Sequence, residues 1–378
     1  MRRLVLLSLA AALAASACRS GVVDAPVADA AAAEVAGTPS PSPAAPVAPA
    51  TIAPAPAPPE PTGPVALGRY PERVYVPNSK AHTVTIIDPA TREVIGHHHV
   101  DLVPHHVTPA WDLQSLVINN TSGNTVSVID PYTGAITRTV PVMDPYNLYW
   151  TPDGSTAIVV AERLRRLDLR DPHSWELQAS IEDLPQGIDH GNFTRDGLFV
   201  ASAEFSGMMV KVDVTAREVV AELHVGGKPV DVVRIPGQET MLVANETKDG
   251  VHVLDPVTMT EEKFLPTGDG THGILLSREK DRVFVSNRLG GTISVIDLAT
   301  LEVTETWHVG GSPDMGQLNP AGTELWISNR YHGSVSVIDT ATGEVLATIP
   351  TGAGAHGLTY FPNVDAHSLG HNGVYIEE

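Results

Sequence analysis

Three short stretches of a 378-residue chain repeat one chemical theme, a histidine beside a flexible glycine turn or run: QGIDHGNF (186–193), DGTHGILLS (269–277) and GAHGLTY (354–360), with VPHHVTP (103–109) a looser relative. They supply His105, His106, His190, His272 and His356. Asp189, Asp231 and Asp314 stand at matching places. Imidazole and carboxylate are ligands for zinc, copper, nickel or iron, and a ring that gathers distant residues needs no local HExxH or CxxC spacing. The question is what element could gather them.

That element is an internal repeat, the first thing to seek in such a chain. TVTIID ends at Asp88, TVSVID at Asp130, MVKVD at Asp213, GVHVLD at Asp255, TISVID at Asp297 and SVSVID at Asp339, with a degenerate copy, RLRRLD, ending at Asp168. The separations are 42, 38, 45, 42, 42 and 42 residues. Alternating β-branched residues mark each copy as a half-buried strand, and the residues that follow, such as PATREV or TATGEV, carry turn chemistry. The seven carboxylates are expected to accept turn amides, a structural role. Upstream lie a second strand, such as RVFVSN (282–287), and an inner one, such as MGQLNPAG (315–322). Four strands per copy and seven copies predict an all-β fold, a seven-bladed β-propeller. The first copy lacks its inner strand and the chain ends on an unpartnered one, HGLTYFP (356–362), so N- to C-terminal closure of blade 1 is expected.

In such blades the inner strands all begin on one face of the disc. They would bring His356, His105 and His106, Tyr146 and Asn147, Asp189 and His190, Asp231, His272, and Asp314 with Met315 to one channel mouth. A wider ring at the ends of the second strands would hold Asn78, Asn119, Glu162, Glu204, Asn245, Asn287 with Arg288, and Asn329 with Arg330. The imidazoles either hold a metal (copper, zinc or iron) or line a polar, water-filled mouth. The asparagines are expected to cap loops, and Asn147 with the three aspartates to meet a small ligand. Arg288 and Arg330 either clamp an anionic ligand or pair with a nearby acid. His97, His98 and His99 fall on an outer strand facing solvent; His367 and His371 follow closure, and the sequence leaves open whether they cross the disc or fray.

VYVPN, VFVSNR and LWISNR, followed by GTISVID and GSVSVIDTATGEV, closely resemble the YVTN repeat family of β-propellers, over roughly residues 70–362. Blade 3, with AERLRRLDLRDPHSW, departs from the pattern. The resemblance implies a bacterial, often exported propeller. It is similar to the propeller that holds haem d1 in certain denitrification proteins and, more distantly, to the copper-binding one of nitrous oxide reductase. A haem d1-like tetrapyrrole therefore joins the metals as a candidate cofactor.

The ends of the chain speak of location. Arg2 and Arg3, an apolar run from Leu4 to Ala14 and Ala-Ser-Ala before Cys18 form a secretory signal over residues 1–17, too short for a spanning helix. Cys18, the only cysteine, sits where a bacterial lipobox has its lipidated residue and excludes any intrachain disulfide. Residues 18–68 are rich in Ala and Pro, too poor in apolar surface to fold, and read as an extended tether. The propeller spans 69–362 and a tail 363–378. Nearly all of the net charge of −20 falls on the propeller, which excludes nucleic acid as a natural partner. Three functions follow: a monomeric, membrane-anchored module of the cell envelope (or a secreted or periplasmic one) binding a small ligand or envelope protein; a metal or haem d1-type redox protein; and a lactonase-like hydrolase. No catalytic residue is assigned.

Overall fold

A computed structural model of the protein describes residues 70–363 and 367–371. The expected signal segment, Cys18 and the tether lie outside the described residues. Among these there is no helix, so none that is long and apolar enough to cross a membrane. They form twenty-eight strands in seven four-stranded antiparallel sheets, the blades of a propeller, and successive inner strands contact one another around a central channel.

Six blades use consecutive strands; blade 1 does not. Its innermost strand is Thr359–Phe361, which pairs antiparallel with Arg73–Asn78 through Arg73 with Phe361 and Tyr75 with Thr359. The predicted closure is present, and it removes the two free sheet edges that an open ring would carry. The other inner strands are Pro104–Pro109, Asn147–Trp150, Ile188–Phe193, Pro229–Arg234, Thr271–Leu276 and Pro313–Leu318.

Alternation in each strand sends apolar side chains into the seams between blades. In one seam Tyr149, Ile158 and Val160 of blade 3 meet Phe193, Phe199 and Val210 of blade 4. Phe199 is fully buried, and truncating such an aromatic to alanine costs about 3–5 kcal/mol.

The turn carboxylates behave as expected with one correction. Asp88, Asp130, Asp213, Asp255, Asp297 and Asp339 each accept an amide two or three residues on, for example Ala90 at 2.9 Å and Thr342 at 2.9 Å. Asp168 does not. It is buried between Arg166 and Arg170 and accepts the Ser180 hydroxyl at 2.6 Å. The turn position of blade 3 belongs to Asp171, which takes the amides of His173 and Ser174. Asp130 to Asp171 and Asp171 to Asp213 are 41 and 42 residues, so the blade period is regular once Asp171 stands in place of Asp168.

His97 to His99 lie on the outer strand of blade 1, as expected; His97 meets the Thr85 hydroxyl and His98 the Gly134 carbonyl.

Candidate functional site

Five inner strands share one irregularity. In blade 2, Pro104 pairs with Asn120 but Val107 with Ile118, so three residues advance on the inner strand against two on its neighbour. The same slip occurs at Ile188–Gly191, Pro229–Val232, Thr271–Ile274 and Pro313–Gly316. Each is a β-bulge, and the extra residue breaks the up-down alternation. The bulged dipeptides are His105-His106, Asp189-His190, Val230-Asp231, His272-Gly273 and Asp314-Met315. Adjacent side chains can therefore both reach the channel, which a regular strand would forbid.

Hydroxyls hold these bulges. Ser202 contacts the His190 amide and donates to the Val230 carbonyl of the next blade at 2.6 Å; Ser286 accepts the Gly273 amide and donates to the Asp314 carbonyl, both at 2.7 Å. In register, blade 2 has Asn119 at that place, fully buried with neither amide atom hydrogen-bonded. Asn120, not Asn119, joins Asn78, Asn287 and Asn329 in bridging the two hydroxyls of the following strand, at 2.9 and 3.1 Å for Asn120. The recurrent glycine after histidine has a steric cause. A methyl group on Gly357 would come within 2.0 Å of the His106 ring, and one on Gly273 within 2.5 Å of the Asp314 carbonyl.

The structure gathers four of the five predicted histidines into two sets that share His106. His105, His106 and His356 form one: their ligand atoms lie within 4.8 Å of one another, with ring centroids 4.2–4.8 Å apart. The second is His106, His190 and His371, the last from the C-terminal tail. His272 belongs to neither. Its Nδ1 lies 3.0 Å from Asp314 Oδ1, and its ring is 6.0 Å or more from those of His356 and His190. Every one of these rings is buried.

Burial pushes His105, His106, His356 and His371 well below the usual imidazole range, and the Arg330 charge adds to it at His105 and His356. His190 and His272 are pushed by burial to about 4. The rings are neutral at pH 7, the form that binds metal.

Asp314 anchors one side. Burial opposes its charge, but the Arg288 guanidinium, with the His356 and His272 rings whose Nδ1 atoms meet the carboxylate, outweighs it and holds the carboxyl well below the usual carboxylate range. Arg288 reaches Asp314 at 2.6 Å and Glu246 at 3.2 Å, so its fork is committed within the protein; Arg330 lies 3.8 Å from Asp314. Of the two readings for Arg288, the ion pair is the one observed. Asp231 accepts the amides of Val232 and Ile274, tying blade 5 to blade 6. Asn147 donates to Asp189 at 3.1 Å, and burial raises the Asp189 carboxyl to about 8.

One residue beyond the ends of the second strands stand Glu162, Glu204 and Glu246, then Arg288 and Arg330; Glu246 pairs with Arg288 at 3.2 Å and Glu204 lies 3.7 Å from Lys228. Burial, then the charge of Asp189, raises Glu204 to about 8. Glu246 and its partner Lys228 (3.3 Å) stand outside the ring expected from the sequence, which has the preceding Asn245 at that place. The repeat itself held the signal, since Glu246 aligns with Arg288 and Arg330. His371 carried no such signal, lying outside the repeat.

A closed seven-bladed ring with a histidine-lined channel places the protein among β-propellers. The match to the family model of YNCE-like β-propellers, over residues 26–364, shows that the chain belongs to that family. Among solved structures it is similar to the dihydro-haem d1 dehydrogenase NirN in complex with DHE (15% identity, 76% of this chain and 75% of that one, TM-score 0.60) and to hydrazine synthase of Kuenenia stuttgartiensis (20%, 75% and 99%, TM-score 0.63). A protein of unknown function from Desulfotomaculum acetoxidans also resembles it (16%, 76% and 98%, TM-score 0.66). At these identities the likeness extends to the fold alone. No curated protein matches the chain significantly.

Proposed function

We propose that this propeller is an exported metal-binding protein whose channel holds a first-row transition-metal ion of the zinc or copper class on His105, His106 and His356. The observation that carries the reading is a set of neutral, buried imidazoles with nitrogens left unpartnered: His105 Nδ1 and both nitrogens of His106 meet no hydrogen-bonding group. Each such group costs about 1–3 kcal/mol unless something fills the gap. His356 adds a feature common at metal centres, a ligand ring whose other nitrogen is held by a carboxylate, here Nδ1 on Asp314 at 2.5 Å. Three nitrogen donors suit zinc, copper or iron and leave a coordination position for an outside ligand. They do not suit a hard cation, which disfavours the hydrolase reading. Bound there, the ion would act as a Lewis acid or redox centre, while the protein positions it and excludes water.

The test is metal analysis of protein purified without a histidine tag. Wild type is expected to hold on the order of one ion per chain; in a His371→Gln background, which removes the tail-side set, the double variant His105→Ala/His356→Ala should bind it at least about tenfold more weakly than His371→Gln alone. Equal metal retention by the variant would reject these ligands.

A second reading is a docking module for a planar cofactor or an envelope protein. Phe205, Leu289 and Tyr331, on second-to-third-strand loops of blades 4, 6 and 7, are more than half exposed on the face that carries the mouth, where a partner could meet them. The neighbour NirN, solved with DHE, lends this a precedent within the fold. Export and a lipid anchor on Cys18 remain part of the proposal, supported by the N-terminal sequence.

A further inference from the structure

The tail is the least expected feature of the channel. Inner strands of blades 2 and 3 run from the mouth to Pro109 and Trp150 at the far face. The tail meets those far ends: the Ser368 amide donates to the Trp111 carbonyl at 3.1 Å, Trp150 donates to Leu369 at 3.0 Å, and Gly370 bridges Tyr149. His367 stacks on Trp111 with ring centroids 3.8 Å apart and planes 11° apart, and Leu369 joins the apolar seam of blades 3 and 4. Past this clamp His371 turns into the channel, its ring 4.1 Å from that of His106 and 4.6 Å from that of His190.

We infer that His371 is a metal ligand supplied by the tail, and that an ion of the zinc or copper class on His106, His190 and His371 locks the tail into the far end of the channel. All six ring nitrogens of this set are buried without a hydrogen-bond partner. His190 Nδ1 does lie 2.7 Å from Asp189 Oδ1, out of hydrogen-bond alignment; a small ring rotation would let it donate there, the usual support for a ligand imidazole, leaving Nε2 for the ion. Three neutral rings with no partner inside the protein are costly as an apolar plug and complementary to a cation. A tail serving only to cover the far end would be better made with an apolar residue at 371. Because both sets draw on His106, an ion on the tail-side set engages the same ring that the mouth-side set uses, which makes tail docking and mouth occupancy interdependent. The inference rests on the reading that channel imidazoles hold metal.

The experiment is hydrogen exchange of the tail peptide, followed by mass spectrometry, on the full untagged chain with and without Zn²⁺, alongside calorimetric Zn²⁺ titration. Zinc is expected to slow tail exchange on the order of tenfold or more, as loss of an ordered metal contact is felt at least that strongly. His371→Gln should abolish the protection and weaken Zn²⁺ binding, while circular dichroism and thermal melting confirm that the propeller is folded. His105→Ala/His356→Ala should keep the tail protection. Zinc binding that leaves tail exchange unchanged, or a His371→Gln protein with wild-type affinity, overturns the inference and leaves the mouth-side reading standing. Failure of the wild-type protein to bind zinc or copper at all overturns both.

Discussion

The channel histidines are neutral because they are buried, and this sets how the metal-free protein should respond to pH. His190 and His272 sit near 4 in the fold against an ordinary 6.5. Between those values the unfolded chain binds more protons, so stability falls as pH drops from 6.5 towards 4. The raised carboxyl of Glu204 acts in the opposite sense. Held protonated up to about 8 against an ordinary 4.5, it contributes stability that is lost as pH rises through that range. Asp189, raised to the same value, acts alike. Six depressed imidazoles outweigh two raised carboxyls on the acid side, so the melting temperature should peak near pH 6.5 and decline towards 8. Glu204→Gln should flatten the alkaline decline. A wild-type melting temperature that climbed steadily from pH 6.5 to 8.5 would contradict these assignments.

At the level of the element, the bulge does what residue identity cannot. His105 and His106 are sequence neighbours, and in a regular strand one would face the channel and the other its own blade. The extra residue between Pro104 and Val107 turns both towards the channel. Blade 3 shows how a local pattern misleads. RLRRLD imitates the end of a third strand, but its Asp168 neutralises two arginines in the interior, while Asp171 caps the turn. The two carboxylates should therefore differ sharply in thermal or urea unfolding. Asp168→Ala strands the buried Arg170 guanidinium and should cost about 3–5 kcal/mol, whereas Asp171→Ala removes exposed turn hydrogen bonds worth about 1 kcal/mol. Equal costs would mean that the turn and interior roles have been assigned to the wrong residues.

For the whole molecule, closure is the decisive event. The pairing of Thr359–Phe361 with Arg73–Asn78 joins residues nearly three hundred positions apart, and only then does His356 meet His105 and His106. The same step carries the chain onward, so that the tail clamps against Trp111 and Trp150. The proposed lipid anchor on Cys18 belongs to this scale as well. In a bacterial host the protein should partition with membranes and incorporate labelled palmitate, and Cys18→Ala should release it to the soluble fraction. A Cys18→Ala protein that still fractionated with membranes would remove lipidation from the account.

Periodicity was legible without coordinates because a repeat writes its turns and alternating strands again in every copy; blade number, closure and the convergence of the histidine positions all follow from that redundancy. Pairing was not legible. Whether Arg288 met a ligand or Asp314, whether Asn119 or Asn120 capped its loop, and which imidazoles formed a set depended on bulges and on distances of a few ångströms between blades, which no local pattern encodes. His371 is the clearest case: it belongs to no repeat, and only the packing of the tail against blades 2 and 3 brings its ring to His106 and His190. Local periodicity determined the ring; long-range packing decided what stands inside it.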